Sequence, residues 1–169
     1  MTEIQDLVAS LGRVHDLRLR VGTGAWLEIA IDRPDKRNAL REQTASELLR
    51  VLESVESSSA VRAVILHGAQ EFFCAGVDVA AFAMPAGGPY EQWRLRRTNR
   101  QLSRLFRTLP EFTKPYLVAV EGYALGGGFE LALMADVVIA ARNAEFGLTE
   151  VKLGMIPGGG GTQTLARAV

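Results

Sequence analysis

Cysteine occurs once in the 169 residues, at Cys74, and histidine twice, at His15 and His67. One thiol closes no intrachain disulfide, so the cysteine count gives no sign of an oxidising compartment. Neither histidine lies near Cys74 in sequence, and the thiol reads as a small residue packed behind a loop rather than as a nucleophile. His67 closes a strand and reads as structural. An excess charge of one sign is also absent. Nineteen basic residues balance nineteen acidic ones, giving a formal net charge of zero and a pI near 6.7. A nucleic-acid binder needs surplus positive charge to neutralise phosphates, so the balance argues against that class. The run Trp93-Arg94-Leu95-Arg96-Arg97 is the local exception, and reads as a solvated helix face or as a patch near an anionic group. No apolar run is long: residues 131–141 are interrupted by Asp136 and fall short of the ~20 residues of a bilayer span. Residues 1–7 carry acidic side chains and resemble neither a secretory signal nor a transit peptide. These absences lead to the expectation of a soluble, cytoplasmic protein with no membrane and no nucleic-acid partner.

What is present suits one folded domain over residues 1–169, since 48% of the chain is hydrophobic and 22% charged. Residues 14–20 and 25–31 are strand candidates around Gly22-Thr23-Gly24, whose glycines can supply the positive φ of a tight turn. Residues 40–55 predict a helix. Leu48, Leu49, Leu52 and Val55 recur at helical spacing, with Glu42, Glu47 and Arg50 elsewhere on the wheel. Residues 61–67 and 115–120 are buried strands, 71–79 and 84–89 loops, and 90–109 a longer helix ended by Pro110. A glycine-rich turn at 122–128, a buried helix at 129–134, a strand at 136–140, a loop at 153–161 and a last helix at 162–169 follow. Strands alternating with helices predict an α/β architecture with mostly parallel sheets and a loose strand-strand-helix recurrence.

The most informative stretch is Gly122-Tyr123-Ala124-Leu125-Gly126-Gly127-Gly128-Phe129-Glu130. Three glycines between a strand and a helix let backbone approach a ligand, and their N–H groups lie at a helix N-terminus where negative charge is favoured. A tight packing turn is the alternative. The second cluster, Gly158 to Gly161, lacks the Gly-Lys-Ser/Thr ending of a P-loop and reads as a flexible loop entering the last helix.

Three segments in order resemble the crotonase (enoyl-CoA hydratase/isomerase) superfamily. They are Phe72-Phe73-Cys74-Ala75-Gly76-Val77-Asp78, then Gly122 to Glu130, then Ala144-Glu145-Phe146-Gly147-Leu148-Thr149-Glu150 through Gly154-Met155-Ile156-Pro157-Gly158. Arg33-Pro34, Lys36-Arg37-Asn38-Ala39-Leu40 and Lys114-Pro115 also sit where that family places similar residues. The resemblance implies a crotonase-like spiral of strand-strand-helix repeats, with the C-terminal helical part largely absent from a chain of this length. An apolar surface and self-association are then expected.

The same resemblance implies an oxyanion hole made by the backbone N–H groups of Val77 and Gly127, and two catalytic glutamates, Glu130 and Glu150. Glu150 is the main proton donor and acceptor, and Glu130 holds and polarises water. Without the family, Glu130 reads as a solvated helix residue and Glu150 as a helix-start charge. Binding of the coenzyme A part of the substrate falls to Lys36, Arg37, Ala39, Ala75, Val77, Asp78, Val79, Ala80, Gly126 and Gly127. Lys36 and Arg37 serve as phosphate-binding cations or are ordinary surface charges, and Asp78 is alternatively a loop-fixing acceptor. Trp93, Phe106 and the Phe82/Met84 pair are candidates for the acyl pocket, or for core in the case of Trp93 and Phe106. Val77 is bulkier than the alanine common at its position and would narrow the acyl entrance. Thr149 replaces a common proline and would loosen its loop.

The function implied is hydration of 2-enoyl-CoA to 3-hydroxyacyl-CoA through a stabilised enolate, with double-bond isomerisation or related enolate chemistry as the alternative. A non-catalytic acyl-CoA-binding subunit is the alternative outside enzymes. No metal and no separate cofactor are implied. A homotrimer or hexamer is expected by analogy.

Overall fold

Trp26 explains the first hairpin. Its indole lies across the turn, so that a Cβ built on Gly22 would fall 2.0 Å, and one on Gly24 2.1 Å, from ring atoms. The left-handed residue of this turn is Ala25, at φ 62°, and not either glycine. The glycines are therefore required for space, which corrects the expectation that they supply positive φ. The hairpin joins β1 (Leu17–Val21) to β2 (Trp26–Ile31) antiparallel, with Leu19 opposite Ile29.

The computed structural model describes residues 3–81 and 100–169. After a short helix α1 (Glu3–Ser10), which the sequence pattern did not reveal, a five-stranded sheet runs in the order β1-β2-β3-β4-β6. β3 (Ala63–Gly68), β4 (Tyr116–Val120) and β6 (Val137–Ala140) continue from β2 in parallel, so only β1 runs against the others. This is the expected α/β architecture with mostly parallel pairing. A second sheet pairs two three-residue strands, β5 (Tyr123–Leu125) and β7 (Glu145–Gly147), also in parallel.

Helix α2 (Glu42–Glu56) packs against α3 (Arg100–Thr108), and both help cover the sheet. Leu48, Leu49, Leu52 and Val55 join Ile29, Val64, Leu66, Leu102 and Leu105 in the core, as the helical spacing required. Two details differ from expectation. Leu40 is not helical, because it is bridged to Val77 in extended conformation. Glu47 is not on a solvated face: it is 2% exposed, and its carboxylate accepts the backbone N–H groups of His15 and Asp16 at 2.8 and 2.9 Å. A buried carboxylate is tolerable only when so partnered.

Helix α3 is followed by a 3-10 turn, Leu109–Glu111, that holds Pro110. The loop expected at 84–89, the first part of the 90–109 helix, the Trp93–Arg97 run and the Phe82/Met84 pair lie outside the described residues. Helix α4 (Gly127–Leu133) and helix α5 (Gly161–Ala168) pack together. Among the described residues, no helix is long and apolar enough to cross a membrane.

Candidate active site

The segment 74–78 is threaded between two neighbours and is held by backbone hydrogen bonds to both. On one side, Cys74 is bridged to Ala124: Cys74 N–H donates to Tyr123 O at 2.9 Å, and Leu125 N–H donates to Cys74 O at 3.0 Å. On the other, Leu40 N–H donates to Gly76 O at 2.8 Å, and Asp78 N–H donates to Leu40 O at 2.7 Å. Ala75 N–H adds a bond to Arg37 O at 3.0 Å. Gly76 turns the chain at φ 100°, a conformation costly for any residue with a Cβ, and a Cβ there would meet Leu125 O at 2.8 Å.

This weave brings Val77 beside the start of α4. A Cβ built on Gly127 would lie 3.6 Å from Val77 N and 2.9 Å from Val77 Cγ2. Only glycine fits there, because the Val77 side chain already occupies the space. Among the described residues, neither Val77 N–H nor Gly127 N–H donates to a protein acceptor. Two unpaired donors, one at a helix N-terminus, therefore converge on one place. That is the arrangement needed to receive an oxygen on which negative charge develops. The expected oxyanion pair is brought together.

Glu130 sits one turn into α4 and is 2% exposed. Its Oε1 accepts two backbone N–H groups, Gly159 at 2.7 Å and Gly161 at 2.8 Å. Gly160, between them, is left-handed at φ 103° and aims both N–H groups inward. The cluster at 158–161 is thus an ordered cradle for a carboxylate, not the flexible loop expected. Burial pushes the Glu130 carboxyl above its ordinary range; the two glycine N–H bonds pull the other way, and the charge of Glu150 adds to the rise. Glu150 begins a 3-10 turn, Glu150–Leu153, which is closed by the left-handed Gly154. Thr149 O accepts Lys152 N–H at 3.0 Å, so the turn is regular despite the missing proline. Oε1 of Glu150 faces Gly126, 3.1 Å from a Cβ built there, and Oε2 is buried without a protein partner.

Both carboxylates, Val77 and Gly127 line one cavity of about 290 Å³. Leu102, Phe106, Leu153, Met155 and Ile156 give it apolar walls, and Ala75, Val79 and Gly126 also reach it. Phe106 contributes to core and cavity alike: its ring packs against the core and would collide with a Cβ at Gly159, 2.7 Å away. Asp78 does not line the cavity. Its Oδ1 accepts Ala80 N–H at 3.1 Å and its Oδ2 pairs with Arg33 at 3.1 Å, the loop-fixing role. Ala80 is exposed, and Lys36 and Arg37 are exposed on a neighbouring turn, outside the cavity lining, with Ala39 half-buried behind them. Cys74 is fully buried and burial pushes its thiol up to about 12, which suits packing and not nucleophilic chemistry.

Residues 23–169 match the enoyl-CoA hydratase/isomerase family. The chain belongs to that family. It is 40% identical over 143 residues to the 2,3-dehydroadipyl-CoA hydratase of Escherichia coli (strain K12), covering 85% of this chain and 53% of that protein. It is 43% identical over 142 residues to the short-chain-enoyl-CoA hydratase of Clostridium acetobutylicum, covering 83% and 52%. The crystal structure of an enoyl-CoA hydratase from Shewanella pealeana superposes with a TM-score of 0.82 at 32% identity, covering 99% of this chain and 61% of that one. The crotonase-like fold is thereby established. The chain spans about half the length of the curated relatives it matches.

Sequence reasoning missed two contributors, Gly159 and Gly161. The available signal was a glutamate on a buried helix, which requires N–H partners, and a glycine cluster with N–H groups to offer.

Proposed function

We propose that the protein to which this sequence belongs hydrates 2-enoyl-CoA thioesters to 3-hydroxyacyl-CoA. The observation that carries the reading is the meeting, in one apolar-walled cavity, of two unpaired backbone donors with two carboxylates. The thioester oxygen lies between Val77 N–H and Gly127 N–H. Water attacks C3, the C2=C3 π pair moves through the carbonyl to give the enolate, and a proton then reaches C2. Each donor is worth roughly 10²–10³ in rate where charge develops on that oxygen.

The carboxylates divide the proton work. Glu130 is fixed through Oε1 by Gly159 and Gly161, which leaves Oε2 as its acceptor for water. Glu150 carries a carboxylate oxygen without a protein partner and serves as proton donor and acceptor. Lys36 and Arg37, exposed beside the oxyanion segment, are assigned to the phosphates of coenzyme A, with Ala39, Ala75, Asp78, Val79 and Ala80 along the pantetheine approach. No separate cofactor takes part, since coenzyme A arrives with the substrate. Val151, Leu153 and Ile156 are 78%, 56% and 80% exposed near the cavity, and Val137, Val138, Ile139 and Phe146 are further exposed apolar residues. Such surface supports self-association; a homotrimer or hexamer, and the cytoplasm as its place, are part of the proposal by analogy.

The test is the absorbance of the conjugated thioester of crotonyl-CoA, for this chain and for a version extended to the length of its relatives. Loss of the band, slowed about 10²–10⁴-fold by Glu130→Gln and by Glu150→Gln, is the expected result. An undiminished rate in either variant overturns the assignment of that glutamate. Turnover of a 3-enoyl-CoA but not of crotonyl-CoA moves the reading to isomerisation, and binding without any turnover to a non-catalytic subunit.

A further inference from the structure

Arg33 lies outside the cavity lining, yet it is the side chain that ties the oxyanion segment to the rest of the fold. Its side chain is 12% exposed and its guanidinium makes three contacts on three pieces of chain. Nη1 donates to Ala39 O. Nη2 pairs with Asp78 Oδ2 at 3.1 Å. Nε stands 3.8 Å from Oδ2 of Asp16. Ala39 and Asp78 flank the bridge in which Leu40 pairs with Val77, so the fork holds both sides of that bridge at once.

The anchor is itself rigid. Asp16 is 2% exposed and accepts from Arg41 Nη2 and Nε, at 2.6 and 2.8 Å, and from the Thr44 hydroxyl at 2.6 Å. The backbone of Arg33 is fixed as well, since its N–H donates to Asn38 Oδ1 at 2.9 Å. Asn38 Nδ2 in turn donates to Ala69 O and Phe72 O, just before the oxyanion segment, at 2.8 and 2.7 Å.

We infer that Arg33 is a positioning residue for the oxyanion hole, setting the Val77 N–H through its simultaneous hold on Ala39 and Asp78. The inference rests on the thioester reading of the cavity for its chemistry, but its structural core stands apart from it. On the side facing residues 37–40, the oxyanion segment is held by three backbone bonds, from the N–H groups of Leu40, Ala75 and Asp78. Without the fork, the Asp78 carboxylate keeps only its local bond to Ala80, and the bridge opens more readily. Lysine cannot replace the fork, because a single ammonium cannot reach Ala39 O and Asp78 in the same planar geometry.

The experiment compares the chain with Arg33→Met, Arg33→Lys and Asp78→Asn in two measurements. The first is amide hydrogen exchange. The Leu40, Ala75 and Asp78 amides are expected to exchange about tenfold to a hundredfold faster in Arg33→Met and Asp78→Asn, with β2 and β3 amides unchanged and Arg33→Lys intermediate. Unchanged exchange at those three amides overturns the inference. So does equal acceleration throughout β2 and β3, which marks a role in general stability only. Asp78→Asn keeps the acceptor for Ala80 and supplies the test if Arg33→Met fails to fold.

The second measurement is the absorption of a bound aminocinnamoyl-CoA, whose band moves to the red as its carbonyl is polarised. The wild-type shift is expected to shrink in Arg33→Met and Arg33→Lys while the thioester still binds. A full shift in Arg33→Met overturns the inference. No shift in the wild type instead overturns the thioester reading, and the exchange measurement still decides the role of Arg33.

Discussion

Gly128→Ala should destabilise this protein, although glycine to alanine inside a helix ordinarily does the reverse. Alanine gains at most ~1 kcal/mol over glycine in a helix interior. Gly128 lies in the first turn of α4, and a Cβ there would come within 2.5 Å of Cys74 O, 2.7 Å of Cys74 Cβ and 2.8 Å of Cys74 Sγ. The carbonyl cannot recede cheaply, because it accepts Leu125 N–H at 3.0 Å, and Cys74 is also pinned through its own N–H to Tyr123. Overpacking against fixed backbone belongs at the upper end of the ~1–3 kcal/mol usual for such changes. The net loss is then about 2 kcal/mol, or about 4–8 °C in Tm for a chain of this size. Thermal unfolding followed by circular dichroism measures it. Cys74→Ala in the Gly128→Ala background removes only the sulfur and should recover little. A Tm equal to or above the wild type, or full recovery by Cys74→Ala, would refute the claim that the Cys74 carbonyl is the obstacle. Any hydratase activity should fall further than the loss of folded protein, since moving Cys74 also moves Val77 three residues on.

Three further outcomes follow from the same contacts. Glu130→Gln should fold, because the amide oxygen can accept the Gly159 and Gly161 N–H bonds. The native Glu130 carboxyl is raised above its ordinary value of 4.5, so the folded state binds more protons and wild-type stability declines as pH rises through the raised pKa. The Tm of the glutamine variant relative to wild type should therefore climb as pH rises from the ordinary carboxyl value through the raised one, and a flat difference refutes the burial argument. Asp16 is the opposite case: burial pushes its carboxyl up, but the hydrogen bonds from Arg41 and Thr44 and the charges of Arg41 and Arg33 together hold it below its ordinary value. Its stabilisation is present above the ordinary carboxylate range and lost as pH falls through the lowered value. Asp16→Asn should cost roughly 1–3 kcal/mol in urea unfolding at neutral pH and flatten the acid limb; a loss under about 0.5 kcal/mol counts against the network. Finally, the Cys74 thiol, fully buried and pushed up to about 12, should resist iodoacetamide in the native chain and react only in denaturant. Prompt native labelling, read by mass spectrometry, shows that the loop over Cys74 opens.

The parts of the fold that were legible in sequence are those in which one periodicity runs long enough to be seen. The apolar spacing of α2 and the β-branched runs of β2, β3 and β4 are of this kind. β5 and β7 were not, because three residues carry no period and their pairing depends on the glycine turn next to them. The start of α2 was placed too early because Leu40 satisfies a helical spacing, while the bridge to Val77 claims its backbone. Glu47 failed for a related reason: a charged residue on a helix wheel is read as solvated unless its partners are known, and His15 and Asp16 lie 32 and 31 residues away. Within the site, Glu130, Glu150, Val77 and Gly127 came from motif order and now share one cavity. Gly159 and Gly161 offered no side chain to read, and their partner is 29 and 31 residues distant.

The chemistry of the cavity depends on which backbone N–H groups the fold pairs and which it leaves. Nearly all buried N–H groups in folded proteins have partners, and leaving one without costs stability. Here the Gly159 and Gly161 N–H groups are given to a carboxylate of the protein itself, whereas those of Val77 and Gly127 are given to none among the described residues. On the proposed hydratase reading the difference matters, because the second pair then meets an enolate within reach of two acidic side chains. A carboxylate whose charge is spread into two fixed N–H dipoles repels that enolate less than a bare one would. Placing cations at the oxygen instead would favour the ionised form of nearby carboxyls and leave fewer of them protonated to act as donors. Neutral dipoles stabilise the anion where it forms and leave the carboxyls able to exchange protons. A glycine-rich scaffold is what allows four such dipoles to be aimed within one small cavity, and this accounts for glycine at positions 76, 126, 127, 159, 160 and 161 better than loop flexibility does.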